Sequence, residues 1–180
     1  RQGWFETERC KNGEPNLKKF LDLVAIGTIA DVVPLMDENR IFASCGLNTL
    51  ETTRRPGLIA LKEVARVRPG RIDAETCAFQ LAPRLNAAGR VSSASLSFKL
   101  LTTEDAVEAR GLADALNAEN ATRRRLEDGI LQDALSMIGG DGAGQGGITD
   151  KGIVLAMEGW HAGVIGIVAS RLVDRYCRPV

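Results

Sequence analysis

At 180 residues, with 44% hydrophobic and 26% charged side chains, the chain has an ordinary folded-protein balance and room for one compact core or two small ones. Basic and acidic side chains number 23 each, so the formal net charge is zero, which argues against strong non-specific nucleic-acid binding by the chain as a whole but leaves room for a local basic patch. Cys10, Cys45, Cys77 and Cys177 lie far apart with no C-x-x-C spacing, and no apolar run reaches the roughly 18 residues of a membrane span, so a zinc site, a disulfide scaffold and a transmembrane helix are not expected.

In chain order, the opening RQGWFETERCKNGEP is polar and turn-rich and carries no signal-peptide core, and it reads as the middle of a longer protein. Asn16 can cap a helix with Leu17, Phe20, Leu21, Val24 and Ile26 at helical spacing, running toward Gly27 and into IADVVPL. MDENR is expected as a turn, followed by a short helix with Ile41, Phe42, Cys45 and Leu50 on one side. RRPG breaks the chain, and Leu58, Leu61 and Val64 mark another helix. Asp73 caps a further helix, DAETCAFQLA, which is expected to stop at Pro83 and leave APRLNAAGR as a loop. Ser93 can cap a helix carrying Leu96, Leu100 and Leu101. The longest helix is predicted from near Thr103 to about Met137, with a stripe that includes Ala109, Leu112, Leu116, Leu126, Ile130 and Leu135.

Residues 139–147, GGDGAGQGG, are the clearest boundary in the sequence, because glycine at this density makes a flexible connection. Beyond it GIVLAM reads as a buried strand, GWHAG as a turn, VIGIVASRLVDRY as a helix and RPV as a strand just beginning. The fold class expected is therefore α/β, a helical body joined by a long helix to the start of an α/β domain.

Four stretches can carry chemistry. Asp31, among Ile29, Ala30, Val32 and Val33, is expected to be buried, and a buried carboxylate needs a partner: a metal ion at an element end, or a cap or ion pair. Arg84, Asn86 and Arg90 project from one short stretch suited to clamping a phosphate, unless they pair with acids such as Asp73 and Glu75. His161, the one histidine, precedes a glycine-led helix whose free N–H groups favour an anion, with Ser170 and Arg171 two turns later; a structural role is the alternative. Arg123, Arg124 and Arg125 sit mid-helix beside Glu119, Glu127 and Asp128, as a salt-bridged surface or as a basic rail that Arg54 and Arg55 extend.

Three of these stretches, in this order, are similar to the RecJ family within the DHH phosphoesterases. LDLVAIGTIADVVPLMDENR resembles the last motif of the catalytic DHH domain, FQLAPRLNAAGR the loop that opens the segment with the long connecting helix, and GWHAGVIGIVASRLVDRYCRPV the beginning of the DHH-associated domain. The resemblance implies a division into 1–101 (end of the DHH domain), 102–138 (connecting helix), 139–150 (linker) and 151–180 (start of the associated domain). It further implies a cytoplasmic 5′-to-3′ exonuclease on single-stranded DNA, active in recombination and repair with Mn2+ or Mg2+.

Residue by residue, Asp31 matches the last-motif aspartate and is expected as a metal ligand, with Asp22 a weaker candidate in the same stretch. Arg84 and Arg90 match positions expected to approach the scissile phosphate or the strand, with Asn86 beside them, and Asp31 and Arg90 are the catalytic candidates. His161, Ser170 and Arg171 match the part of the second domain that closes on DNA. A helicase or a single-strand-binding protein is the partner class implied, and no membrane. The Asp-His-His triplet that names the superfamily is absent from these 180 residues, so the chain alone is expected to be catalytically silent. The alternatives are a DHH phosphodiesterase for short oligonucleotides or cyclic dinucleotides, disfavoured by GWHAG in place of a GGGH-like turn and by the long connector, and a non-catalytic replication scaffold.

Overall fold

The computed structural model describes residues 16–70, 72–91, 93–140 and 151–180. The Asn16 side chain accepts the Lys18 N–H at 3.1 Å and caps a 3-10 turn (Leu17–Phe20) that leads into α1 (Leu21–Ala30). α2 (Asp37–Glu51) takes the expected MDENR turn into its own first turn. The packed faces keep some of the large apolar side chains, Ile26 and Leu50, but are set mainly by small ones. α1 buries Asp22, Ala25, Ile26 and Ile29, and α2 buries Ala43, Gly46 and Leu50, while Val24, Ile41, Phe42 and Cys45 are exposed. The reason is distance: a Cβ on Gly46 would overlap the Leu21 carbonyl oxygen and the Ala25 methyl, so the two helices cross with backbone almost in contact.

α3 (Pro56–Val64) starts with proline in its first turn and buries Leu58, Ala60 and Leu61. Its Lys62 donates to the carbonyls of Leu50 and Glu51 at 3.0 and 3.1 Å, closing the C-terminal end of α2. Burial lowers the Lys62 pKa, against the opposing pull of Glu51.

Asp73 accepts the Thr76 N–H at 2.7 Å and caps α4 (Ala74–Thr76), as its sequence position predicts. The expected stop at Pro83 does not occur. A π segment (Cys77–Leu81) follows α4, in which Ala82 N–H reaches back to the Cys77 carbonyl, and α5 (Ala82–Val91) carries the helix straight through APRLNAAGR. Proline is tolerated there because the π segment just before it breaks the regular i→i−4 ladder that Pro83 cannot join.

α6 (Ser95–Thr102) follows, and the Ser93 hydroxyl accepts the Ser95 N–H at 3.3 Å just before it. Asp105 accepts the N–H groups of Val107 and Glu108 at 2.7 and 2.9 Å and caps α7 (Ala106–Gly140), 35 residues long. Its buried stripe reads Ala109, Ala113, Leu116, Asn120, Glu127, Ile130 and Ala134, apolar at both ends and polar in the middle. α8 (Ala162–Tyr176) packs Val164, Val168 and Leu172 on Ile130 and Ala134, with Leu126, Leu155, Trp160 and Tyr176 around them. Most of the glycine-rich boundary, residues 141–150, lies outside the described residues.

Contacts divide the chain into two compact units, the first ending at Pro83 and the second spanning Arg84–Val180. The described residues are helical, and none is in a strand. The expected strand at 152–157 is an extended segment whose Ile153 N–H donates to the Pro179 carbonyl at 2.8 Å; a ladder needs a run of such bonds. No helix among the described residues is long and apolar enough to cross a membrane.

Two measurements check this packing. Gly46→Ala should lower the unfolding free energy by about 1–3 kcal/mol in urea titration, through overpacking at the α1–α2 crossing. Cys77 is fully buried and its thiol is pushed up to about 11, so at pH 8 its thiolate fraction is small. Mass-spectrometric mapping of alkylation on the native protein should find the exposed Cys45 and Cys177 modified and Cys77 untouched until denaturant is added.

Candidate nucleic-acid interface

The acid expected to be buried is exposed, and its neighbour in sequence is buried instead. Asp31 follows the last residue of α1 and is open to solvent. The turn around it is fixed by Val32 N–H donating to Ile29 O and Val33 N–H to Thr28 O, both at 3.2 Å, with Val32 left-handed at φ 54°. Asp22 is 2% exposed and spoken for: Oδ2 accepts from Thr53 Oγ1 at 2.9 Å and from Arg55 Nε at 3.1 Å, and Oδ1 from Leu23 N–H at 2.8 Å. Arg55 in turn donates to the Lys19 carbonyl and lies over the Phe20 ring. Asp22 is therefore a structural ion-pair member joining α1 to the turn before α3, and the basic rail expected to extend through Arg55 is used up in that pairing.

The second unit gathers the basic candidates. On α5, helical spacing places Asn86, Gly89 and Arg90 on the exposed side, and Ala87 and Ala88 in the core. Arg84 is half-buried, and its Nε donates to Asn117 Oδ1 on α7 at 2.9 Å. Its pKa is lowered, first by burial and then by the Arg124 guanidinium, although an arginine in this setting keeps its proton.

Arg90, at the end of α5, meets the start of α8 backbone to backbone. A Cβ on Gly163 would overlap the Arg90 carbonyl oxygen and lie 3.1 Å from its carbon. Arg90 Nη1 also donates to the Gly163 carbonyl at 3.4 Å. His161 is the N-cap of α8: its Nδ1 accepts the Gly163 N–H at 3.1 Å, so the neutral ring carries its proton on Nε2. Ser170, exposed, donates its hydroxyl to the Gly166 carbonyl at 3.1 Å within the same helix.

Arg171 reaches from α8 to α7, donating to Glu127 Oε1 at 2.9 Å and approaching Asp128 at 3.7 Å. Arg123 takes the other Glu127 oxygen, Oε2, at 2.9 Å. Burial lowers the Arg123 pKa; Glu127 opposes that shift, and the positive charges of Arg124, Arg90 and Arg171 add to it. Arg123 and Arg171 thus share Glu127, with Asp128 beside Arg171, while Arg84 is held by Asn117 and Arg90 by Gly163. Glu127 was expected as a salt-bridge partner of the mid-helix arginines and is one, but its burial and its bond to Arg171 were not anticipated, nor were Asn117 and Asn120. The signal was present: Asn120 and Glu127 occupy stripe positions between Leu116 and Ile130, where a helix face otherwise turns apolar.

No family model matches the chain. Curated relatives do, and what the chain is similar to is one stretch of a DNA-degrading enzyme. That enzyme is RecJ, the single-stranded-DNA-specific exonuclease. The chain is 45% identical to the Bacillus subtilis protein over 161 residues, covering 89% of this chain and 20% of the relative. It is 41% identical to the Escherichia coli protein over 180 residues, covering 99% of this chain and 31% of the relative. Crystal structures of Thermus thermophilus RecJ in complex with Mn2+ and with Mg2+ both superpose with TM-score 0.81 at 38% identity, over 92% of this chain and about a quarter of theirs (24% and 25%). The chain therefore spans between a fifth and a third of the curated relatives it matches.

Two glycines of α8 should answer oppositely. Gly163→Ala is expected to destabilise by about 1–3 kcal/mol because backbone blocks its methyl. Gly166 faces open space, so Gly166→Ala should stabilise by about 0.5–1 kcal/mol. Urea denaturation of the two variants beside the parent protein measures both.

Proposed function

We propose that this chain is the segment of a RecJ-type nuclease that grips single-stranded DNA, within a longer protein that degrades it from the 5′ end in recombination and repair. The observation that carries the reading is the pair of arginine contacts at α8, Arg90 against Gly163 at its start and Arg171 sharing Glu127 with Arg123 further along, in a chain 38–45% identical to RecJ proteins. Guanidiniums bind phosphate oxygens through paired N–H donors, and the dipole of a 15-residue helix adds partial positive charge at its start. Arg90 and Arg84 are assigned to the strand, Arg90 nearest the scissile phosphate, with Asn86 beside it on the open side of α5. His161 offers Nε2–H to a phosphate or base while Nδ1 holds the helix start.

Mn2+ or Mg2+ is the cofactor proposed, as in the Thermus structures. Among the described residues no cluster of three His, Cys, Asp or Glu side chains is built to hold an ion. Asp31 fits as one donor: it is a hard oxygen ligand, exposed, on a backbone turn with fixed geometry. Such an ion, where bound, lowers the pKa of water and polarises a phosphodiester. Arg90 would stabilise the charge that grows on the phosphate.

The extended 152–157 segment is proposed as the first strand of an α/β domain, supported by its bond to Pro179 and by an apolar groove of about 330 Å³ alongside it. The division 1–101, 102–138, 139–150 and 151–180 is proposed as a functional one. Packing breaks earlier, at Pro83/Arg84, since Arg84 bonds Asn117 and Ser97 bonds the Leu85 carbonyl. A cytoplasmic setting, with a helicase or single-strand-binding protein supplying the strand, completes the proposal.

The test is degradation of 5′-labelled single-stranded DNA with Mn2+ by a complete protein carrying this segment. Asp31→Ala should lose at least about two orders of magnitude in rate while still binding DNA. Arg90→Ala should bind more weakly, with the salt slope of binding reduced by about 0.7. The 180-residue chain alone should release no nucleotides. Undiminished activity in Asp31→Ala would remove that residue from the metal site.

A further inference from the structure

We propose that Glu127 is a positioning residue for the strand-binding face, holding Arg123 of α7 and Arg171 of α8 in fixed register beside Arg90. This rests on the nucleic-acid reading above and adds a residue that neither the sequence motifs nor their resemblance assigns.

Glu127 is 3% exposed and sits in the buried stripe of α7 between Leu116 and Ile130. An apolar side chain there would avoid the desolvation of a carboxylate, and buried ion pairs often contribute less to stability than well-packed apolar replacements. What an apolar residue cannot do is orient two guanidiniums. Each carboxylate oxygen takes one: Oε2 accepts from Arg123 and Oε1 from Arg171, both at 2.9 Å. Glu127 shares its single charge between two guanidiniums, and the exposed Asp128 stands 3.7 Å from Arg171, so the function of Glu127 that Asp128 does not duplicate is the ordering of both arginines at once.

The two partners differ in exposure. The Arg123 side chain is 13% exposed, packed into the interface, whereas that of Arg171 is 50% exposed and has donors left to offer outward. Arginine has a large rotamer entropy, and ordering it before the ligand arrives removes that cost from the binding step. Because Arg171 lies on the same helix as His161, the Glu127–Arg171 bond also sets the roll of α8 against α7, and with it the direction in which the helix start faces. Asn120, 3% exposed on the same stripe, shows that this stretch of α7 is built from polar groups rather than from one isolated acid.

The experiment measures binding of 5′-fluorescein-labelled oligothymidylate to the 180-residue chain by anisotropy, at several salt concentrations, for the parent protein, Glu127→Gln, Glu127→Asp and Asp128→Asn. Charge alone and positioning predict opposite signs. Glu127→Gln removes a negative charge from the patch, so a purely electrostatic role predicts tighter binding, as expected for the exposed Asp128→Asn. Positioning predicts binding at least about fivefold weaker, with a salt slope reduced by about 0.7 for each phosphate that is no longer neutralised. Glu127→Asp keeps the charge and shortens the reach by one methylene, so it too should weaken binding; it decides the matter if circular dichroism shows that Glu127→Gln does not fold. Folded variants that bind as tightly as the parent, with the same slope, would overturn the proposal and leave the nucleic-acid reading standing. A parent protein with no salt-dependent binding would overturn both.

Discussion

The absence of a side chain at residue 163 is the constraint on which the basic site depends. Gly163 lets the start of α8 touch the backbone of Arg90 at the end of α5. That contact sets the carbonyl-rich, partially negative end of one helix against the N–H-rich, partially positive end of another, and the cationic side chain of Arg90 sits where a helix C-terminus favours it. His161 completes the junction by accepting the Gly163 N–H, which leaves one fewer unpaired donor at the helix start. A bulkier residue would have to push the helices apart, and Arg90 would lose its place beside Arg123 and Arg171.

The same economy of space governs α7. Its ends pack apolar side chains, Ala109, Ala113 and Leu116 at one and Ile130 and Ala134 at the other, and these hold the helix in place. The middle is left to Asn117, Asn120, Arg123 and Glu127. Polar groups in a buried stripe are a liability unless they find partners, so their presence between two sound apolar zones points to a role that stability does not explain. Asn117 bonds Arg84 of α5 and Glu127 bonds Arg171 of α8, so the polar middle of one helix orients arginines from both neighbours.

Much of the fold was legible because it depends on local chemistry. Asn16 and Asp73 cap where short polar side chains should, and α7 is plain from its long apolar stripe. The features that were not legible depend on tertiary distance. The α1–α2 face is written in Gly46, Ala25 and Ala43, small residues whose value appears only when a second helix comes close, while the larger Ile41 and Phe42 point away. APRLNAAGR contains proline and glycine and reads as a loop, yet a π segment before Pro83 lets the helix continue. For the site, the positions of Arg84, Arg90, His161 and Arg171 were found from residue type and motif. Glu127 was legible only as a surface partner of the arginines on its own helix, because an acid four residues after an arginine is ordinarily a solvated pair, and only the approach of α8 turns it into a buried two-arginine bridge.

The two aspartates of the first stretch show why burial is a poor guide to chemistry. Asp22 lies deep, and its partners occupy both carboxylate oxygens, Thr53 and Arg55 on Oδ2 and the Leu23 N–H on Oδ1. Asp31 has apolar neighbours in sequence but is placed outside by the end of α1. Its position is not loosely held: the turn is closed by two backbone bonds and requires Val32, a β-branched residue 86% exposed, to take a left-handed conformation that glycine would adopt far more readily. A strained valine gains nothing from burial at that exposure, so its cost of about 1–2 kcal/mol is met by the rest of the unit. The strain falls on the residue next to the exposed carboxylate, where a stiffer backbone restricts the directions Asp31 can take. The buried acid ties α1 to the turn before α3, and the exposed one stands on a turn closed by two backbone bonds.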